Sequence, residues 1–267
     1  MNGNTSTVTI LGSGTSTGVP VVGCSCAVCT SRDPRNSRTR CSVLIAHQGR
    51  NILIDTTTDL RQQSLREKIE RIDAVLYTHT HADHVHGIDD LRPFNFIAGQ
   101  AIPIYGSGET LASIRRNFAY IFDEELEEGY RPQLEPREIT GPFDLFGLSV
   151  EPIDLHHGCG RSLGFRIGPF AYLTDCSAIP EASEQRLQGL EVLVIDGLRF
   201  RPHSTHLNIT QASEIASRLG VPRTLLTHLS HEVEHAGCSK ELPEGVELAF
   251  DGQQIELLLM REGQAGS

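Results

Sequence analysis

Residues 78–87, Thr-His-Thr-His-Ala-Asp-His-Val-His-Gly, constrain this chain more than any other stretch. His79, His81, Asp83 and His84 fall within six consecutive positions in a His-x-His-x-Asp-His pattern, and packing asks for none of them. They follow Asp73-Ala74-Val75-Leu76-Tyr77, a short apolar run that reads as a buried strand ending at His79. The cluster therefore sits where a strand leaves its sheet. In α/β proteins that open carboxyl edge is where ligand sites form, and neutral imidazoles beside a carboxylate suit borderline divalent metals. A metal site is the first expectation.

Other predicted strands end in the same way. Thr7 to Leu11 alternates, Cys41 to Ala46 and Asn51 to Asp55 flank a His47-Gln48-Gly49-Arg50 hairpin signal, and Asp59 to Ile72 carries Leu60, Leu65, Ile69 and Ile72 at helical spacing. The start reads β-β-β-α-β. Gly12-Ser13-Gly14-Thr15-Ser16-Thr17-Gly18 follows the first strand without opening a helix, which excludes a dinucleotide fingerprint; its glycines let the backbone approach a ligand or another loop. A strand at Ala101 to Tyr105, a helix at Gly108 to Phe122 and a proline-rich connection over the site at Pro132 to Pro142 come next. Beta-type runs at Phe143 to Leu155, Ser162 to Ile167, Phe170 to Thr174, Val192 to Ile195 and Arg223 to Thr227 follow, with an Asn208-capped helix at Thr210 to Leu219. His79, His157, Asp175, His206 and His228 all lie at or near strand exits.

The chain has 267 residues, enough for a sizeable core, and is read as one domain over 1–267 with a loop insertion at about 19–40. A formal net charge of −11 opposes extended nucleic acid and anionic membrane, and the Asp123-Glu124-Glu125-Leu126-Glu127-Glu128 run reads as solvated surface. No run approaches a membrane span, and Met1 to Ser6 lacks the start of a signal peptide, so a cytoplasmic location is expected. Seven cysteines, with Cys24, Cys26 and Cys29 at C-x-C-x2-C spacing, fit a reducing compartment and a metal better than disulfides. Three thiols are one short of a closed structural zinc site, so a distant fourth ligand is required. Asp33 to Arg40 holds three arginines, read either as solvated or as positive charge near an anionic substrate.

With these motifs the chain resembles the metallo-β-lactamase fold superfamily of binuclear metallohydrolases. His79-x-His81-x-Asp83-His84 is that superfamily's hallmark, and His157-Gly158, Leu173-Thr174-Asp175 and Thr227-His228 match its later motifs. The resemblance implies a four-layer αββα sandwich, two mixed sheets flanked by helices. It further implies that His79, His81 and His157 hold one metal and Asp83, His84 and His228 another, with Asp175 bridging. Within the superfamily the chain is similar to the phosphodiesterases of the carbon-phosphorus lyase pathway (PhnP-like). Their structural zinc site resembles Cys24, Cys26 and Cys29, and implies His231 as the fourth ligand. Thr205-His206-Leu207-Asn208 matches their segment whose histidine contacts phosphate or protonates the leaving group.

Two divalent metals about 4 Å apart can lower the pKa of a bridging water, present it to phosphorus and neutralise the equatorial oxygens. The active-site ions are expected to be zinc or manganese. The leaving alkoxide still needs a proton, a role that suits His206, with Asp83 the other residue placed in the catalytic machinery. His156 competes with His157 as ligand, but neighbours on an extended chain point opposite ways. His86, His203 and His235 read as supports or surface residues, and Cys176 as a packed thiol. The expected activity is hydrolysis of a small, cyclic phosphodiester such as phosphoribosyl 1,2-cyclic phosphate or a cyclic nucleotide, with a homodimer left open. The alternatives are a thioesterase, lactamase or tRNA-processing nuclease on the same fold, or a non-catalytic carrier in cofactor biosynthesis.

Overall fold

The computed structural model describes residues 5–123, 125 and 129–259. Met1 to Asn4 of the expected leaderless start, and Glu124, Leu126, Glu127 and Glu128 of the acidic run, lie outside them. The strands are β1 Ser6–Gly12, β2 Ser42–His47, β3 Arg50–Ile54, β4 Ala74–Leu76, β5 Ile102–Gly106, β6 Leu134–Glu138 and β7 Phe143–Leu145. They continue as β8 Leu148–His157, β9 Gly160–Ile167, β10 Phe170–Leu173, β11 Val192–Asp196, β12 Arg223–Thr227, β13 Val246–Leu248 and β14 Gln254–Leu257. One sheet runs β14-β1-β2-β3-β4-β5-β6 and the other β13-β12-β11-β10-β9-β8-β7. Both are mixed: β3 to β6 and β10 to β13 pair in parallel, and the remaining pairs are antiparallel.

Alternation decides which side chains go between the sheets. Val8, Ile10, Val43 and Ile45 from one sheet meet Phe165, Tyr172, Val194 and Leu225 from the other in a dry core. The outer faces are covered by helices. α1 Leu60–Arg66, α2 Ala82–Val85, α3 Arg92–Ala98 and α4 Gly108–Asn117 follow strands of the first sheet, whose outer core includes Leu60, Val85, Phe94 and Leu111. The second sheet's outer core takes in Ile209 and Ile215 of α6 Ile209–Leu219, with α5 Glu181–Gln185 and the short α7 Cys-terminated turn His235–Cys238 beyond it. The result is an αββα sandwich. No helix among the described residues is long and apolar enough to cross a membrane.

Several elements depart from the expected boundaries. The helix predicted to reach Ile72 ends at Arg66, because Lys68 takes φ 53° and the Ile69 amide donates back to Ser64 O at 2.9 Å. The single run Phe143 to Leu155 splits at Phe146 and Gly147, whose φ values of 56° and 82° make the turn of a hairpin. Pro132 to Pro142 is no connection over the site. It contains edge strand β6, where a proline can sit without breaking the sheet, and none of its residues lines the cleft described below.

Candidate metal centre and its surroundings

The ends of β4, β8, β10 and β12 and the chain just after β11 meet at one edge of the sandwich, around a cleft of about 620 Å3. His79, His81, His157, Asp175, His206 and His228 line it. Asp55, Asp175 and His228 each directly follow or closely follow a strand and hold φ values of 64°, 53° and 59°. Left-handed backbone is uncommon for side chains of this kind and costs on the order of 1 kcal/mol or more each, so the fold stores strain where the strands hand over to the cleft. Gly87, which closes the His-rich motif, has a steric reason. A Cβ there would lie 1.9 Å from Thr57 O.

Two donor groups share Asp175. In the first, His79 Nε2 and His157 Nε2 are both 3.7 Å from Asp175 Oδ1, and His81 Nδ1 is 3.3 Å from His157 Nε2. In the second, His84 Nε2 lies 3.0 Å from Asp175 Oδ2 and 3.3 Å from Asp83 Oδ2, while His228 Nε2 lies 3.5 Å from Asp175 Oδ1 and 3.8 Å from Asp83 Oδ2. The structure thus brings together all seven residues expected in the cleft. His79 Nε2, His84 Nε2 and His228 Nε2 are buried with no hydrogen-bond partner. Buried polar atoms are almost always paired, so converging orphan nitrogens beside carboxylates fit a pair of divalent cations, whose imidazole and carboxylate preferences this donor set meets.

The opposite ring nitrogens are committed. His84 Nδ1–H donates to Asp55 Oδ2 at 2.7 Å, and His157 Nδ1–H donates to Thr205 O at 2.9 Å. Thr78 Oγ1 donates to Asp55 Oδ2 at 2.8 Å and so accepts from His79 Nδ1–H at 3.0 Å. One buried carboxylate, Asp55, therefore fixes an imidazole in each group, leaving both Nε2 lone pairs facing inward. Asp196 does the same for His206. Its Oδ2 accepts from His206 Nδ1–H at 2.7 Å and from the Cys176 amide at 3.0 Å, and its Oδ1 lies 4.0 Å from His228 Nδ1. The His206 ring stacks on His228 with centroids 4.5 Å apart and stands 4.9 Å from His157.

Asp55 and Asp196 were visible in the sequence only as strand-end aspartates, the signal that Asp175 also gives. His156 is exposed and offers its backbone to Ser177 and Ala178, as strand alternation predicts. His86 is exposed beside the Phe118 ring, His203 is exposed at the cleft rim near His206, and His235 is buried outside the cleft. Cys176 is a fully buried thiol whose pKa burial pushes up, consistent with packing.

Burial lowers the pKa of His79 well below the ordinary value and lowers that of His157. Burial opposes charge on His84 and His228 too, but carboxylates overcome it: Asp175 and Asp55 hold His84 well above the usual value, and Asp175 and Asp83 bring His228 to about 9. Burial likewise disfavours the charged forms of Asp83 and Asp175, yet the surrounding imidazoles pull both below the carboxylate range. The carboxylates of the cleft thus favour positive charge beside them, supplied by imidazolium or by bound cations.

A second cluster lies outside the cleft. Cys24, Cys26 and Cys29 Sγ stand 3.3, 3.6 and 3.6 Å from His231 Nδ1, spacings that fit four donors around one tetrahedral ion. The Cys29 amide and neighbouring thiols draw Cys26 down to about 6, whereas burial raises Cys29 to about 11. The solvated reading of the nearby arginines holds for exposed Arg35 and fails for Arg38, and none of the three lines the cleft. Arg35 pairs with Asp33 and Arg40 with Asp59, while Arg38 is buried and donates to backbone carbonyls. Gly12 and Gly14 approach this same loop rather than a ligand, since Cβ atoms there would collide with Arg40 O and Arg38 O.

A model of the beta-lactamase superfamily domain matches residues 50–229. The chain is 40% identical over 262 residues to an octanoyltransferase from Porphyromonas gingivalis, covering 95% of this chain but only 52% of that protein, so it spans about half of that relative. A crystal structure of a diphosphatase from the PhnP family superimposes with a TM-score of 0.89 and 43% identity, covering 95% of this chain and 97% of the other. Zn2+-bound PqqB from Methylobacterium extorquens, at 22% identity and TM-score 0.78 over 94% of this chain and all of that one, shares the fold. On the domain match, and on likeness to a PhnP-family structure over nearly the full length of both chains, the chain belongs to the beta-lactamase superfamily and groups with its PhnP-like members.

Proposed function

We propose that the chain is a metal-dependent hydrolase that cleaves a small phosphodiester, with two divalent cations, zinc or manganese, in the cleft and one structural zinc at the thiol cluster. The observation that carries the reading is the pairing of two donor groups through Asp175 with an Asp196-held histidine beside them. The cations would supply an activated water and neutralise charge on the phosphoryl oxygens. His79, His81 and His157 would hold one, Asp83, His84 and His228 the other, and Asp175 would lie between.

His206 remains for proton transfer. Its Nδ1 is fixed by Asp196, so its Nε2 is left to act, and its ring stands against ligands of both groups. Asp196 fixes the ring's orientation and leaves Nε2 free towards the cleft, which suits His206 to hand a proton to the leaving alkoxide. The lining of the cleft also weighs against acyl substrates. Among its described lining residues Leu163 is the one aliphatic side chain, which gives an octanoyl group no apolar wall, whereas Arg161 and several hydroxyls suit a phosphorylated sugar. The PhnP-family diphosphatase supports chemistry at phosphorus and favours a second reading, cleavage of a diphosphate. Reduced thiols at the second cluster suit a cytoplasmic setting.

The test is a substrate panel run on protein loaded with zinc or manganese: bis-p-nitrophenyl phosphate, 2′,3′-cyclic nucleotides, phosphoribosyl 1,2-cyclic phosphate, a nucleoside diphosphate, an acyl thioester and nitrocefin. Turnover of phosphodiesters supports the proposal. Activity confined to the diphosphate moves it to the second reading, activity on nitrocefin or thioester alone defeats both, and no turnover at all favours a carrier.

A further inference from the structure

His228, a cleft donor, and His231, the fourth member of the thiol cluster, lie three residues apart in one segment, 228–234, that links β12 to α7 without a strand or helix of its own. Nearly every residue of this segment is tied to something different. The Leu229 amide donates to Ser13 O at 2.8 Å and its carbonyl accepts from the Thr15 amide at 3.1 Å. The Ser230 amide donates to Leu198 O at 2.9 Å, at the base of the loop that carries His206. Glu232 accepts from Arg199 at 2.7 Å and from Arg201 at 2.7 and 2.8 Å, both on that loop. On the other side the buried Arg38 guanidinium donates to Ser230 O at 3.2 Å and Val233 O at 2.9 Å. Arg38 has no carboxylate within ion-pair distance among the described residues, so its buried charge is met by carbonyl and amide oxygens that only this arrangement supplies.

We propose that the thiol cluster, with Arg38, is a positioning device for the cleft: filling it fixes segment 228–234, and thereby sets how tightly the Asp83, His84 and His228 group holds its cation and where the His206 loop lies. His228 needs such a restraint because its left-handed backbone, φ 59°, is held against its own preference. His231 pulls on the segment from one end and β12 from the other, with Arg38 clamping the carbonyls of Ser230 and Val233 that flank His231. When His231 is released, the strained turn at His228 can relax. The His79, His81 and His157 group hangs on β4 and β8 and meets the segment only indirectly, through the Thr205 carbonyl on the His206 loop that accepts from His157 Nδ1–H, so the larger effect falls on the Asp83, His84 and His228 cation. Supports outside a metal's own ligands typically change affinity by about 10–100-fold.

The inference rests on the two-cation reading of the cleft and is tested by metal binding rather than turnover. Zinc titration against a competing chelating dye, on folded full-length chain checked by circular dichroism, should count three cations in the wild type. His231→Ala should lose the thiol-cluster cation and bind one cleft cation about 10–100-fold more weakly, with a clearly smaller change at the other; His231→Cys, which restores a fourth thiol-cluster donor, should recover both. His228→Ala identifies the affected cation by removing the same one. If His231→Ala fails to fold, Arg38→Met keeps every donor and should show the same selective weakening. Unchanged cleft affinities in the folded variants, or equal weakening of both cleft cations, would overturn the inference while leaving the two-cation reading intact. A wild-type chain that binds no pair of cations in the cleft would remove that reading and the inference together.

Discussion

The thiol cluster and the cleft hold their donors in opposite ways. Cys24, Cys26 and Cys29 come from six consecutive positions of one loop, half-exposed, and need only His231 from elsewhere to surround an ion on four sides. The cleft draws His79, His81, Asp83, His84, His157, Asp175 and His228 from the ends of four strands, buries most of them, and leaves one side open to a cavity. A closed set of four donors has no free position and contributes folding energy, whereas donors spread around an open side leave room for water and substrate. The supports differ accordingly. The cleft imidazoles are oriented by buried Asp55, Asp196 and Thr205 O, while the thiols are backed by local amides such as Cys29 N on Cys26 Sγ at 3.4 Å.

The contrast can be broken at several points. Asp175→Ala is expected to have the largest effect, since that carboxylate faces both cleft groups: hydrolysis should be lost, and elemental analysis should find the thiol-cluster metal alone. Retention of both cleft metals would show that Asp175 is not shared. Cys26→Ser should lower the metal count from three to two and destabilise the fold by on the order of 4 kcal/mol, read by chemical denaturation. An unchanged count would mean that Cys26 is not needed to hold a metal. Asp55→Asn should weaken cleft metal binding by about 10–100-fold while the thiol-cluster metal stays, because His84 loses its acceptor directly and His79 through Thr78. Loss confined to the thiol cluster would invert the assignment. Gly87→Ala is the smallest: relief of the contact with Thr57 O should cost about 1–3 kcal/mol by thermal melting, with all metals retained at saturation.

The two regions were also unequally legible. Four metal-type residues in six positions cannot be explained by packing, so half of the cleft declared itself in the primary structure. The other half came from strand ends, and there the signal is ambiguous: a lone aspartate after an apolar run reads the same whether it stands between the cleft's two donor groups, as at Asp175, or orients an imidazole, as at Asp55 and Asp196. Only the register of both sheets separates these roles. His231 shows the same limit at long range, since nothing local connects it to thiols some two hundred positions earlier. Arg38 was misread because a run of arginines beside asparagine and serine looks solvated; its burial depends on carbonyls of residues 230 and 233, which no local pattern announces. The αββα architecture was expected from the resemblance alone, and β13 and β14 were missed, being three and four residues long and paired to distant strands.

The central claim is that the open cluster cleaves a phosphodiester with His206 supplying the leaving group's proton. It is tested most directly by comparing wild type and His206→Ala on two substrates with the cleft metals equally loaded: a cyclic phosphodiester with an alkoxide leaving group, and bis-p-nitrophenyl phosphate, whose leaving phenolate needs no proton. Loss of a general acid should slow the first by about 10²–10⁴-fold and the second far less. Equal slowing of both, or no slowing of the first, would contradict the account.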